Sequence, residues 1–167
     1  MHINLSFVQI VKSNIVKDVL ENIERYSAAN NHYVFEITET IEMDQIPAVQ
    51  NVFKEFVKND FRFAIDDFGT GYSNYGYMRD RTFDIVKVDR SFVTDIDKLK
   101  DNYLMVSFII KMAHEMGLHV CIEGVETKEE LSCVKKLGAD YIQGYYYGKP
   151  VCLQDFEEQH LKRFVLG

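Results

Sequence analysis

Short apolar runs alternate with longer segments of helical period along nearly the whole chain, and this alternation restricts the fold more than any other feature of the sequence. Residues 2–7, 33–37, 61–66, 83–88, 119–122 and 140–142 are strand-like. Between them, residues 13–28 place Ile15, Val16, Val19, Leu20 and Ile23 on one helical face, and residues 44–59 do the same with Ile46, Val49, Val52, Phe53, Phe56 and Val57. Residues 102–116 predict a strongly apolar helix that stops at Gly117. Thr127, with Glu130 three residues on, predicts a capped helix start and Gly138 its end, and a last helix is expected over 153–164, after Pro150.

Strands separated by helices imply a parallel sheet, because parallel neighbours need a crossover where antiparallel ones need only a hairpin. A doubly wound sheet usually carries a Gly-x-Gly-x-x-Gly turn after its first strand, and none stands there. Instead a polar residue lies at or near the end of every strand in turn, namely Asn4, Glu36, Asp66, Lys87, Glu123 and Gln143. That distribution predicts an α/β fold of the TIM-type (β/α) barrel class, whose active site is assembled from the C-terminal ends of many strands. Six strand–helix units are countable against the eight of a closed barrel, so the expectation is an incomplete barrel in a single domain, residues 1–167.

The polar strand ends suggest a chemistry. Glu36, Asp66, Asp67 and Glu123, with Asn4, are hard oxygen donors of the kind that Mg²⁺ or Mn²⁺ requires. Zinc would favour His or Cys, and His2, His32, His114, His119 and His160 are scattered without ligand spacing. Adjacent Asp66 and Asp67, where an apolar run breaks into Gly69-Thr70-Gly71, could serve two ions at once, an arrangement suited to phosphoester hydrolysis. Lys87, flanked by Val86 and Val88, reads as a strand lysine that needs an anionic partner. Taken singly, an Asp-Asp pair before glycines is more often a turn, and Glu36, Asp89 or Glu126 more often a surface charge; six polar strand ends in succession are harder to dismiss. Tyr72, Tyr75, Tyr77 and Tyr145 to Tyr147 could stack on a base, although packing is the commoner role for such rings.

Charge and cysteine usage exclude other classes. A net charge of -7 argues against a broad surface for nucleic-acid polymers or anionic membranes. The three cysteines, Cys121, Cys133 and Cys152, show no Cys-x-x-Cys spacing and suit a reduced, cytoplasmic protein in which they are buried or incidental. No leader-like start and no run long enough to cross a bilayer is present in this sequence.

Ile3-Asn4-Leu5-Ser6, Glu36-Ile37-Thr38-Glu39, Asp66-Asp67-Phe68-Gly69-Thr70-Gly71-Tyr72-Ser73, Lys87-Val88-Asp89-Arg90-Ser91-Phe92-Val93, Glu123-Gly124-Val125-Glu126-Thr127 and Gln143-Gly144-Tyr145 resemble, in order and spacing, the successive motifs of the EAL-domain family. The resemblance implies a bacterial phosphodiesterase that opens cyclic di-GMP to linear pGpG on a β/α barrel, using Mg²⁺ or Mn²⁺. It implies Asn4, Glu36 and Asp66 as ligands of one metal, with Asp66 and Asp67 reaching a second. Lys87 would hold the attacking water or the phosphate, Glu123 would be a metal ligand or general base, and Gln143 would complete the network. Glu39 would anchor the loop that contains Gly69, Thr70, Gly71, Tyr72 and Ser73, while Asp89 and Glu126 would support the site.

Two departures qualify it. The Glu-Ala-Leu motif of the family's first strand, which supplies a metal-binding glutamate, does not occur here, and Asn74-Tyr75 stands where the family continues with Ser-Leu. The chain aligns from what would be the third strand, so the expectation is a domain without its first two strand–helix units and without that metal-ligand glutamate, weakly active or inactive alone. Its sheet edges near Asn4 and Ile142, or the loop after Asp67, would be open to pairing in a homodimer. The alternatives are a module that binds cyclic di-GMP without cleaving it and a fragment that acts through assembly.

Overall fold

A computed structural model describes residues 1–11, 14–24, 29–38, 47–70 and 82–158. Six strands, β1 (His2–Asn4), β2 (Val34–Thr38), β3 (Arg62–Phe68), β4 (Ile85–Val88), β5 (His119–Ile122) and β6 (Tyr141–Ile142), form one sheet whose spatial order follows the chain. Every pairing is parallel. A doubly wound sheet reverses its strand order at a switch point, and this one does not, so the six strands wind as part of a β/α barrel. Helices α1 (Phe7–Ile10) and α2 (Ile15–Glu24) follow β1, α3 (Pro47–Lys58) follows β2, α4 (Lys100–Glu115) follows β4, α5 (Lys128–Leu137) follows β5 and α6 (Leu153–Phe156) follows β6.

Boundaries differ from the sequence expectation where side chains compete for backbone groups. The first strand ends at Asn4 because the Ser6 carbonyl accepts the Gln9 and Ile10 N–H groups and starts α1. The fourth begins at Ile85 rather than Phe83, since the Asp84 carboxylate takes the Phe63 N–H at 2.9 Å. The third runs past Asp66 to Phe68. Glu36 and Lys87 accordingly sit inside their strands, not at the last residue. The last helix is α-helical over Leu153–Phe156, and residues 159–167 lie outside the described residues.

Alternation of side chains along each strand gives the sheet two unlike faces. Phe35, Ile37, Phe63, Ile65, Val86, Val88, Val120 and Ile122 are buried on the helix side, against Val49, Phe53 and Phe56 of α3, Val106, Ile109, Ile110 and Ala113 of α4, and Leu131 and Val134 of α5. Phenylalanines dominate this layer, with Phe53 and Phe63 4.8 Å apart and Phe35 and Phe56 4.9 Å apart between ring centres, both tilted. Truncating one such buried ring to Ala costs about 3–5 kcal/mol.

The opposite face carries a separate small cluster, Val34, Ala64, Ile85 and Cys121. Two residues further along the same strands stand Glu36, Asp66, Lys87 and Glu123, so an apolar floor underlies a charged row. A cleft of about 410 Å³ on this face is lined by His2 at one end of the sheet and Tyr141 at the other, which shows how far the six strands curl. Burial pushes the Cys121 thiol up to about 12, so it is a packing residue at neutral pH and not a nucleophile.

Candidate active site

The paired carboxylates depend on a break in the ladder. Neighbouring residues of a regular strand point to opposite faces, which would send Asp67 away from Asp66. Between β3 and β4, however, the register moves from Ile65 opposite Val86 to Phe68 opposite Val88, three residues against two. This bulge leaves Asp66 and Asp67 together across from Lys87. Asp67 takes up the extra residue in the left-handed region, φ 54°, and its carbonyl accepts both the Thr70 N–H at 3.2 Å and the Thr70 hydroxyl at 2.9 Å. Oxygens of Asp66, Asp67 and Glu123 consequently lie within 4.8 Å of one another.

Lys87 organises the rest. Its side chain is 3% exposed, and Nζ lies 2.7 Å from Glu36 Oε1, 2.7 Å from Asp66 Oδ1 and 2.9 Å from Glu123 Oε1. An ammonium has three N–H donors, and each has a carboxylate. Burial alone would favour neutral lysine, but hydrogen bonds to Asp66, Glu36 and Glu123 override it and hold Lys87 well above the usual lysine range. The Glu123 carboxyl is raised by burial, with Lys87 opposing the shift, and Asp67 is raised by burial and by the charge of Asp66.

The other residues named from the sequence fall at graded distances from this centre. Asn4 ends β1 directly opposite Glu36 in register, and is exposed. Asp89 follows β4 and accepts the Ser91 N–H at 2.9 Å, a bond that with other backbone contacts outweighs burial and lowers its pKa. Glu126 and Gln143 border a cleft of about 890 Å³ that also contains Asp89 and Glu123. Gly69 packs against the Phe92 ring. Glu39, Gly71, Tyr72 and Ser73 lie outside the described residues.

Three contributors were not legible in the sequence. His2 Nδ1 sits 2.7 Å from Glu36 Oε1, the oxygen that Lys87 also holds. Arg90 and Lys149 line the larger cleft and bring positive charge to its rim, Lys149 standing 5.4 Å over the Tyr145 ring. No local pattern marks His2 or Lys149, which strand order joins to the site, whereas Arg90 directly follows Asp89 within the Lys87–Val93 motif without a signal of its own for the cleft. Close backbone approach shapes the same cleft. A Cβ on Gly144 would fall 2.1 Å from the Val125 carbonyl oxygen, and one on Gly124 would fall 2.3 Å from Arg90 Cβ.

The donor set suits a divalent cation. Asp66, Asp67 and Glu123 offer only carboxylate oxygens; the Lys87 ammonium beside them has no lone pair to give a metal, and His2 Nδ1 is turned to Glu36. Hard oxygen donors at this spacing match Mg²⁺, Mn²⁺ or Ca²⁺ better than zinc. Among the described residues no helix is long and apolar enough to cross a membrane.

A family model for the EAL domain matches residues 1–150. The chain is similar to the probable cyclic di-GMP phosphodiesterase PdeA of Escherichia coli (strain K12), 34% identical over 153 residues that make up 92% of this chain and 21% of that protein. Among solved structures it is similar to the EAL enzyme Bd1971 in its cAMP- and cyclic-di-GMP-bound form, with TM-score 0.89, 34% identity, and coverage of 95% of this chain and 42% of that one. It is also similar to Klebsiella pneumoniae BlrP1 in a manganese and cyclic di-GMP complex, with TM-score 0.82, 27% identity, and coverage of 89% and 38% respectively. The chain thus spans about a fifth of the length of the first curated relatives it matches. Strand order, the charged row and the family match over residues 1–150 agree, and the chain belongs to the EAL domain family.

Proposed function

We propose that this chain is a cyclic di-GMP phosphodiesterase domain that hydrolyses one phosphodiester to give linear pGpG with the help of Mg²⁺ or Mn²⁺. The observation that carries the reading is the convergence of Asp66, Asp67 and Glu123 beside a buried, fully engaged Lys87. Asp66, Asp67 and Glu123 would hold one cation, with Glu36 and Asn4 beside Asp66 as donors toward a second. Bound there, the cations supply Lewis-acid stabilisation of charge on the phosphoryl oxygens.

The chain's own groups do the rest. Glu123, one carboxylate oxygen of which is held by Lys87 at 2.9 Å, would use the other to accept the proton of the attacking water while the P–O3′ bond breaks, and the departing O3′ would take a proton from solvent water to become the 3′-hydroxyl. Lys87 keeps its charge throughout and fixes Glu36, Asp66 and Glu123 relative to one another; it reaches water or phosphate only by exchanging one of those partners. Arg90 and Lys149 neutralise phosphate at the cleft, and Tyr145 and Tyr147 offer faces to guanine. Asp89, Glu126 and Gln143 border the substrate, and Gly69 and Thr70 set the carboxylate pair. In the proposal Glu39 anchors that loop, to which Gly71, Tyr72 and Ser73 belong. Among the described residues the outer edges of β1 and β6 have no strand partner, which supports pairing with a second copy; sedimentation reads it directly.

Incubating the chain with cyclic di-GMP and Mn²⁺, and separating pGpG by chromatography, tests the reading; metal-dependent product that disappears in Asp67→Asn is expected. A second reading, binding without turnover, is favoured by Glu36, whose Oε1 is already shared by His2 and Lys87 at 2.7 Å each. Binding that survives Asp67→Asn with no product at any metal concentration would select it.

A further inference from the structure

Among the described residues one buried charge lies outside the metal cluster. Glu130, on the first turn of α5, is 6% exposed. Its Oε2 accepts the Glu126 N–H at 2.9 Å and the Thr127 N–H at 3.0 Å, which is the helix cap. Its Oε1 does something else: it accepts the Asp95 N–H at 3.1 Å, from the segment that follows β4. The two segments so joined form facing parts of the large cleft, one carrying Asp89 and Arg90 and the other Glu123 and Glu126. They touch again at the cleft itself, where Gly124 leaves no room for a Cβ against Arg90. The geometry points to Glu130 as a positioning residue, a carboxylate that sets the distance between the Arg90 wall and the Glu126 wall and thereby the fit of the nucleotide.

This assignment rests on the proposed cyclic di-GMP site. It takes a carboxylate for a stated reason: a cap alone is served equally by Gln at this position, whereas bonding three N–H groups on two oxygens is not. In Glu130→Gln the amide has one acceptor oxygen. Two cap N–H groups draw that oxygen to their side, and the amide nitrogen is left facing the Asp95 N–H. The variant therefore keeps the helix and breaks the tie. Glu123 is held independently, by Lys87 and by its N–H to the Val88 carbonyl at 3.1 Å, so the metal donors stay in place.

Calorimetric titration of cyclic di-GMP in the presence of Mn²⁺, titration of Mn²⁺ alone, and amide hydrogen exchange by NMR on wild type, Glu130→Gln and Glu130→Ala test the assignment. Expected in Glu130→Gln are nucleotide binding weaker by about tenfold, the cost of a lost hydrogen bond to a charged acceptor, with Mn²⁺ affinity unchanged. The Asp95 amide exchanges about tenfold faster and the Thr127 amide stays protected. Glu130→Ala loses protection at both. Unchanged Asp95 exchange, or unchanged nucleotide affinity, in a folded Glu130→Gln overturns the assignment. A wild-type chain that binds no cyclic di-GMP sinks the functional reading instead, and Asp95 exchange still decides the tie.

Discussion

Lys87 and Glu123 meet across 2.9 Å at adjacent strands, and Lys87 holds Glu36 and Asp66 with the same nitrogen. Replacing it by Met leaves three carboxylates in one small volume with no counter-charge. Breaking a buried ion pair from one side costs about 3–5 kcal/mol, and that loss is expected in Lys87→Met by urea denaturation at neutral pH. The sign with pH is the same in the two proteins, stability falling as pH rises through a raised pKa, but the windows differ. Wild-type Lys87 has a raised pKa, so its contribution is complete below the ordinary lysine value and fades only as pH rises beyond about 10. The crowded carboxylates of the variant bind protons more tightly folded than unfolded, so Lys87→Met gains stability on acidification and on addition of Mn²⁺. A variant indifferent to both would show that the carboxylates do not share one field.

Asp67 serves the site at a conformational cost. A left-handed φ costs a non-glycine residue about 1–2 kcal/mol, and Asp67 is an exposed side chain with φ 54°. Asp67→Gly should therefore fold about 1 kcal/mol more stably, the gain tempered by glycine's greater unfolded freedom, while Mn²⁺ binding is lost. Denaturation and metal titration on the same preparation check it; a stability loss would mean that the Asp67 side chain supports the loop.

Gly144 and Gly117 separate crowding from backbone strain. Alanine at 144 would drive a Cβ into the Val125 backbone, which cannot rotate aside, whereas Gly117 has a φ of 79° and open space around it. Gly144→Ala is expected to cost at least about 3 kcal/mol and to perturb the cleft, against about 1 kcal/mol for Gly117→Ala. Urea midpoints rank the two, and a reversed order would remove the close approach of β6 to Val125 from the account.

Asp140 supplies a test at acid pH, away from the cleft. Its carboxylate is partly desolvated, which opposes charge, but hydrogen bonds from His114 at 2.8 Å and the buried Val120 N–H at 2.7 Å prevail and lower its pKa. A depressed carboxylate contributes stability above its unfolded pKa of about 3.9 and loses it as pH falls through the folded value. Asp140→Asn should be less stable than wild type by about 1 kcal/mol at neutral pH, with the gap narrowing as pH falls below the unfolded carboxylate value of about 3.9. Parallel thermal melts across that range are sufficient, and a gap that persists in acid would locate the effect in packing.

Particular residues explain how far the sequence could be read. Short apolar runs between helical segments exposed the strands, and Asn4, Glu36, Asp66, Lys87, Glu123 and Gln143 stood out as polar residues at or near their ends. Thr127 and Glu130 declared the start of α5 because a capping box is local. The bulge at Asp67 was hidden, since an inserted residue leaves the composition of a strand unchanged and shows only against its partner. His2 on Glu36 and Glu130 on Asp95 were hidden for a related reason: these contacts join residues 34 and 35 positions apart, and only the folded sheet brings them together.

The two faces of the sheet also bear on how the chain finds its native pairing. A shift of β4 by one residue against its neighbours would turn Lys87 toward Phe63 and Val120 and bring Val86 and Val88 out over the carboxylates. Such a misaligned pairing would bury an ammonium in a phenylalanine layer and leave three acids without a cation, at a cost that disfavours it. The charged row thus favours the native strand alignment as well as gathering the carboxylates around one cation.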